Sequence, residues 1–360
     1  MKEMTGKERI SRILAGEPVD RIGLFEHFWG DTLQRWTAEG HIKEGESLED
    51  HFGFDIQGSP WLDMKIKVGF KPVVIEEDEE TILQRDGNGA LLRTHKQHSS
   101  TPEHVGFDIT NREDWEKKAK PFLKATRDRI PFEAYRQKKQ EAAEKGRFFC
   151  MSGVNVFELM HPICGHEHML LGMCLDVDWV KDMVKVYSNM TIDLLTILFE
   201  EEGEPDGIWF YEDMGFKLRP FMSPEMYEDI IMPGHVKTID FCHSRNLPVI
   251  MHSCGFIEPL LPGMVKAGID CLQVIEIKAG MDLLRVHENF GDKICFCGGM
   301  DARNLVANDI DAIRAELNEK IPVVKQGRGY ILHSDHSIPD TCNYETYRFF
   351  VDEGLKLGEY

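Results

Sequence analysis

At 360 residues, the chain exceeds one minimal domain and suits one large barrel or two ordinary domains. Hydrophobic residues make up 42% and charged residues 29%, enough apolar material for a full core, which excludes general disorder. Lys and Arg number 42 against 62 Asp and Glu, a net charge of −20, so phosphate backbones and anionic lipid would be repelled and no nucleic-acid partner is expected.

The opening MKEMTGKERISRILAGEP is charged and lacks the apolar centre of a secretory signal. The most apolar stretch, 192–199, is short and broken by Asp193, so no membrane span is expected. Nine cysteines, an odd number without framework spacing, point to reduced thiols in a cytoplasmic protein, several of them small core residues.

Eight short runs rich in β-branched, aromatic or Cys residues follow in chain order: RIGLFEH (21–27), FDIQGS (54–59), FFCMS (148–152), GIWFYED (207–213), PVIMH (248–252), CLQVIEI (271–277), KICFCG (293–298) and GYILH (329–333). From the third onward, helical patterns lie between them, at 169–202, 224–245, 257–267, 281–289, 302–324 and 344–357. Strand–helix repeats require parallel crossovers, and eight of them predict an α/β fold of the (β/α)8 TIM-barrel type. An open doubly wound sheet is the competing architecture. The extra length falls between the second and third strands. There VVIEE, TILQR and ALLRT, with the turn DGNG, predict a meander in 69–95, followed by charged helices at 114–126 and 132–145. No linker or repeat divides the chain, so one domain over 1–360 with an insertion at 60–147 is expected.

In a barrel, chemistry sits at the carboxyl ends of the strands. Those ends carry Glu26 and His27, Asn155 and Glu158, Glu212 and Asp213, His252 and Cys254, Glu276 and Lys278, then His333, Asp335 and His336. The sharpest signal is His252-Ser253-Cys254-Gly255: residues two apart on a strand share a face, and imidazole with thiolate suits zinc. A buried Cys beside a hydrogen-bonded His is the plain alternative. Glu276 interrupts an apolar run, where a bare carboxylate is costly, and the last strand ends in HSDHS. Together His252, Cys254, Glu276 and His336 could surround one ion with N, S, O and N donors. An ion pair with Lys278 would equally explain Glu276, and a supporting or core role would explain His333. Cys295 and Cys297 have no second pair at metal-site spacing and fit a core reading. No GxGxxG, Walker or GxSxG motif occurs.

The segments GEPVDRIGLFEHFWGDTLQRW, PDGIWFYEDMGFKLRPFMSPEMYEDIIMP, LPVIMHSCGFIEPLLPGMVKAGID, IKAGMD with FCGGMDARNL, and GYILHSDHSIPD together resemble the uroporphyrinogen decarboxylase superfamily, whose fold is a (β/α)8 barrel. True decarboxylases carry an Arg-rich RQAGRY-type segment after the first strand. FEHFWGDTLQRW stands there instead, which opposes a substrate with many carboxylates. The His252/Cys254 pair is similar to that of the zinc-dependent, corrinoid-linked methyltransferase branch, with His336 at the last-strand position that is commonly Cys. Glu276 lies where the related zinc site of cobalamin-independent methionine synthase has a glutamate.

The resemblance implies zinc as cofactor and a methyl group moving from a small methylated substrate, an aromatic methyl ether by preference, to the Co(I) corrinoid of a partner protein. No corrinoid-binding DxHxxG occurs in the chain, so the corrinoid would arrive on that partner. Asp213, ranked first, with Glu26, His27 and His333 would serve as proton donors to the leaving group. Phe25, Phe28, Trp29, Trp209, Phe210 and Phe216 could line a pocket for an aromatic ring. The remaining alternatives are a methylcorrinoid:thiol methyltransferase, a metal-free carboxy-lyase of the uroporphyrinogen decarboxylase type, and a non-catalytic zinc- or ligand-binding barrel. The oligomeric state is not indicated.

Overall fold

A computed structural model describes residues 3–96 and 101–360. Each of the eight runs contains one strand: β1 (Gly23–Leu24), β2 (Ile56–Gly58), β3 (Phe148–Val154), β4 (Gly207–Tyr211), β5 (Val249–Ser253), β6 (Cys271–Val274), β7 (Cys295–Gly298) and β8 (Tyr330–Leu332). Their order is β1-β8-β7-β6-β5-β4-β3-β2, and every hydrogen-bonded pair is parallel. With helices on the crossovers, this is a TIM barrel.

The ladder ends at β1 and β2, and the seam between them is closed by Asp55. Its backbone N–H donates to the Leu24 carbonyl at 2.9 Å, and its carboxylate accepts from the Leu24 N–H at 2.8 Å. The same carboxylate meets the guanidinium of Arg9 at 2.6 Å and that of Arg21 at 2.9 Å. β1 is far shorter than its predicted run because this side-chain stitch replaces a regular ladder.

Inside the barrel pack Phe148, Cys150, Trp209, Ile250, Cys271, Cys295, Cys297 and Ile331. The helix Gly6–Ala15 closes the amino-terminal end, with Ile10, Ile13 and Leu14 in that same cluster. All nine cysteines are free thiols, and Cys295 and Cys297 are buried core, as their spacing predicts.

Two predicted helices are each divided in two. The 169–202 pattern belongs to Val156–Leu175 and Val177–Glu202, separated at Asp176, whose side chain caps Trp179 N–H. The 302–324 pattern divides into Ala302–Val306 and Ile310–Val324, where Asn308 takes a positive φ of 55° and Asp309 caps the second piece. Hydrophobic spacing continues across both breaks, so periodicity alone does not reveal them; the capping aspartates do.

Between β2 and β3 stands an antiparallel meander of Val73–Glu77, Thr81–Arg85, Leu91–His95 and Glu103–Gly106. Its last strand, EHVG, is short and nearly all exposed, and it leaves no period in the sequence.

Candidate functional site

Alternation along the strands directs one set of side chains inward at the carboxyl end. These are His27, Tyr211, His252, Gln273 and His333, and hydrogen bonds join them across the barrel. His252 lies directly opposite Gln273 in the β5–β6 register. Its Nδ1 is bonded to the Gln273 side-chain carbonyl oxygen. A carbonyl can only accept, so Nδ1 carries a proton and Nε2 is the ring nitrogen turned to the mouth.

Around that nitrogen gather two further donors. Cys254 Sγ lies 3.2 Å from His252 Nε2, and Asp213 Oδ1 lies 3.1 Å from it. One ligand atom from each of Asp213, His252 and Cys254 falls within 4.8 Å of the others. Donors on a tetrahedral zinc, at roughly 2.0–2.3 Å from the ion, stand about 3.3–3.6 Å apart, so this trio needs only small adjustments to hold one. Three protein donors plus one open position is the pattern of a catalytic zinc.

The exits of β4 and β5 hold these donors together. Gly215 N–H donates to the Cys254 carbonyl at 3.1 Å, and Gly255 has φ of +80°. A Cβ on Gly255 would lie 2.4 Å from the Gly215 backbone, so only glycine lets the two loops cross here. Cys254 N–H in turn donates to Asp213 Oδ1 at 2.8 Å. Burial opposes ionisation of Asp213, but His252 and this amide outweigh it and hold the carboxyl down to about 2. Burial works against charge on His252 as well, yet Cys254 and Asp213 keep its pKa well above the ordinary value, so without an ion Nε2 also holds a proton, which a bound metal would displace.

The predicted donor set therefore differs from the one assembled. Asp213, expected as a proton donor, is an anion within the trio. Glu276 and His336 fall outside the sets of described residues whose ligand atoms lie within 4.8 Å of one another. Glu276 accepts from Gly255 N–H at 2.7 Å and stands 4.0 Å from Lys278 Nζ, the ion-pair alternative. His336 stacks on Trp29 with ring centroids 6.5 Å apart. Both line an adjoining cavity of about 190 Å³ with Trp29, Lys278 and Arg303.

A second line of groups runs beneath the trio. His333 Nδ1 faces the Ser334 carbonyl at 2.5 Å, which puts its proton there and makes Nε2 an acceptor. Gln273 Nε2 lies 3.3 Å and His27 Nδ1 2.9 Å from that acceptor. His27 Nε2 then accepts from the Tyr211 hydroxyl at 2.9 Å. The chain Tyr211–His27–His333 thus has one self-consistent set of tautomers, and Gln273 links it to His252. Burial, then neighbouring histidines, keeps His27 well below its usual range, and burial takes His333 down to about 3, so both rings are neutral at physiological pH.

Glu26 lies deeper and accepts from His27 N–H at 2.9 Å, Ser334 N–H at 3.0 Å and Ser334 Oγ at 3.0 Å. Burial outweighs these donors and raises its carboxyl to about 8. Glu26 is then protonated in the folded state where an unfolded glutamate, near 4.5, has lost its proton. Its contribution to stability is complete below about pH 4.5 and is lost as pH rises through about 8. The melting-temperature advantage of wild type over Glu26→Gln should shrink between about pH 5 and 9. A constant difference across that range would show that Glu26 does not titrate this way.

Of the aromatic residues expected around a pocket, Phe25 and Trp209 lie below the site, 5.1 Å apart, with Phe25 4.9 Å from His27. Phe28 packs among Trp36, Phe54 and Tyr347, Phe210 is buried against the helices, and Phe216 is 57% exposed. Beside the mouth is a cavity of about 450 Å³ bordered by Trp61, Asn88, Val154 and Glu158. Trp61 reaches Tyr211 with 5.2 Å between ring centroids. Glu212 is structural: buried, it accepts from Phe157 and Glu158 N–H at 2.8 and 2.9 Å and pairs with His235 at 2.5 Å.

Sequence reasoning missed Gln273 and Tyr211. The signal for Gln273 was present, since a lone amide in CLQVIEI breaks an apolar strand as much as Glu276 does.

The family model described as uroporphyrinogen decarboxylase (URO-D) matches residues 111–355. No curated protein matches the sequence. Among solved structures, a methyltransferase from Methanosarcina mazei shares 16% identity, covers 98% of each chain and superposes with a TM-score of 0.70. A D-psicose 3-epimerase from Clostridium cellulolyticum H10 shares 7% identity over 63% of this chain and 82% of its own, with a TM-score of 0.34.

Proposed function

The chain belongs to the uroporphyrinogen decarboxylase family, and from that premise we propose that it is a zinc-dependent methyltransferase. On this reading it carries a methyl group from a small methylated substrate, an aromatic methyl ether by preference, to the Co(I) corrinoid of a partner protein. The supporting observation is the donor set at the ends of β4 and β5. Asp213, His252 and Cys254 offer oxygen, nitrogen and sulfur to one point, with His252 Nδ1 engaged by Gln273 and Nε2 turned to the other two.

When bound, zinc would act there as a Lewis acid on the oxygen that the methyl group leaves. Asp213 and Cys254 supply the negative charge that retains a divalent ion. Gln273 orients His252, as outer partners of metal-bound histidines do. An anionic Asp213 has no proton to give, and the Tyr211 hydroxyl proton is held by His27, so this chain shapes the pocket and the departing oxygen would take its proton from solvent on release. Glu26 positions His27 and Ser334 rather than reaching the mouth. Phe25 and Trp209 form an apolar floor that keeps water from beneath the reacting centre. The nucleophile is the partner's cobalt, and this chain needs none of its own.

The test is to mix zinc-loaded protein with a Co(I) corrinoid protein and a panel of methyl ethers, and follow the corrinoid spectrum. Loss of the Co(I) absorption with at least one aryl methyl ether is expected. Reaction only between methylcorrinoid and a thiol would replace the ether by the thiol reading. Porphyrin product from uroporphyrinogen, with no response to any methyl donor or acceptor, would overturn methyl transfer altogether.

A further inference from the structure

A second cluster of imidazoles lies on the rim, apart from the Cys254 trio. His161 and His166 belong to the helix Val156–Leu175, and His104 to the last meander strand, Glu103–Gly106. Positions five apart point about 140° away from each other on a regular helix. Here the helix breaks at Gly165, with φ of 76° and ψ of 155°, and the break sets the two rings 4.1 Å apart and nearly parallel. A Cβ at Gly165 would lie 2.5 Å from the Phe107 ring, so the break admits only glycine. His104 stacks on both, with centroids 6.0 and 6.3 Å away. One ring nitrogen from each of the three falls within 4.8 Å of the others.

His161 supplies the independent observation. Its Nε2 bonds Glu158 Oε1 at 2.9 Å, and because a carboxylate accepts, that nitrogen carries the proton. Its Nδ1 is therefore a bare lone pair, and it is buried with no hydrogen-bond partner. A buried acceptor left unmatched costs free energy unless something electropositive meets it. Carboxylate–histidine–metal is a recurring arrangement in which the outer carboxylate fixes the tautomer and the inner nitrogen ligates.

We propose that His104, His161 and His166 form a second transition-metal site for a zinc-class divalent ion, with Glu158 orienting His161. Three imidazoles and no thiolate suit Zn²⁺, Cu²⁺ or Ni²⁺ rather than Mg²⁺ or Ca²⁺. Two nitrogens on a tetrahedral ion, each bound at about 2.1 Å, stand about 3.4 Å apart, so rings whose nitrogens now lie within 4.8 Å close by up to about 1.4 Å on binding. The ligands come from the insertion and from the barrel helix, so the ion would pin one to the other. Glu158 also borders the cavity beside Trp61 and Asn88, so the pinning would fix that cavity's wall. This site is independent of the methyltransferase reading.

Metal content after zinc loading and desalting decides it. Wild type should hold about two equivalents, His104→Ala and His166→Ala about one each, and Cys254→Ser about one. His104 is exposed, so its removal spares the fold, and His104→Cys, which supplies another zinc donor, should restore the second equivalent. In cobalt-loaded protein, the thiolate-to-metal absorption should persist in His166→Ala and vanish in Cys254→Ser. The proposal is overturned if the His104 and His166 variants keep all the wild-type metal, or if Cys254→Ser keeps none. Failure of the Cys254 site looks different: wild type would hold a single equivalent, lost on replacing His104 or His166.

Discussion

Replacing Cys254 by Ser or His252 by Ala is expected to remove one equivalent of zinc relative to wild type and to abolish methyl transfer. Lewis-acid stabilisation of a departing oxygen is worth several kcal/mol, so the rate loss should be about a thousandfold or more. Neither variant should change the fold much, because both residues sit at the mouth and outside the packed apolar clusters. Asp213→Asn keeps the shape and removes the negative charge, so it should weaken zinc retention. Glu276→Gln and His336→Ala should retain the metal, since Glu276 is engaged by Gly255 N–H and His336 by Trp29. Elemental analysis of the five variants checks the whole ligand set. Full zinc in both Cys254→Ser and His252→Ala would end the assignment, and loss in His336→Ala would restore the last strand as a ligand source.

The largest effect on stability is expected from Asp55→Ala at the barrel seam. The carboxylate is almost fully buried and accepts from two arginines and from Leu24 N–H. Removing one partner of a buried ion pair costs about 3–5 kcal/mol, because the remaining charge is left in a poor solvent. Asp20, which also pairs with Arg9 at 2.7 Å, should hold the loss near the lower end, about 3 kcal/mol. Urea denaturation should show a lower midpoint with an unchanged slope. Zinc binding should survive, because the donors stand on β4 and β5, across the barrel from the seam. A midpoint within the scatter of surface substitutions would mean that the seam is held by backbone alone.

Much of this architecture was legible in the amino-acid order. Buried parallel strands read as short apolar runs, and the eight runs each carry one strand of the barrel. The His252-Ser253-Cys254-Gly255 segment was legible for the same reason: a strand's period of two, followed by a glycine, leaves few alternatives. What stayed hidden needs the third dimension. Asp213 joins the trio only because the β4 and β5 exits cross at Gly215 and Gly255, and no spacing along the chain encodes that crossing. Glu276 and His336 end strands of the same barrel and read as ligands while Asp213 read as an acid; a local amide and a ring engage the first two, and the crossing brings in the third. The 104/161/166 histidines are linked through a broken helix and an insertion strand without a period, so neither helical nor strand spacing could group them.

The plug formed by the helix Gly6–Ala15 and the packed interior above it have a kinetic consequence. With the amino-terminal end packed shut, the site opens at the carboxyl end of the strands, and under the proposed reaction the cobalt-bearing protein would have to stand there. A partner seated over that mouth would hinder the methyl donor, so turnover under the proposed reaction should favour one sequence: donor first, partner second, and release of the demethylated product once the partner has stepped away.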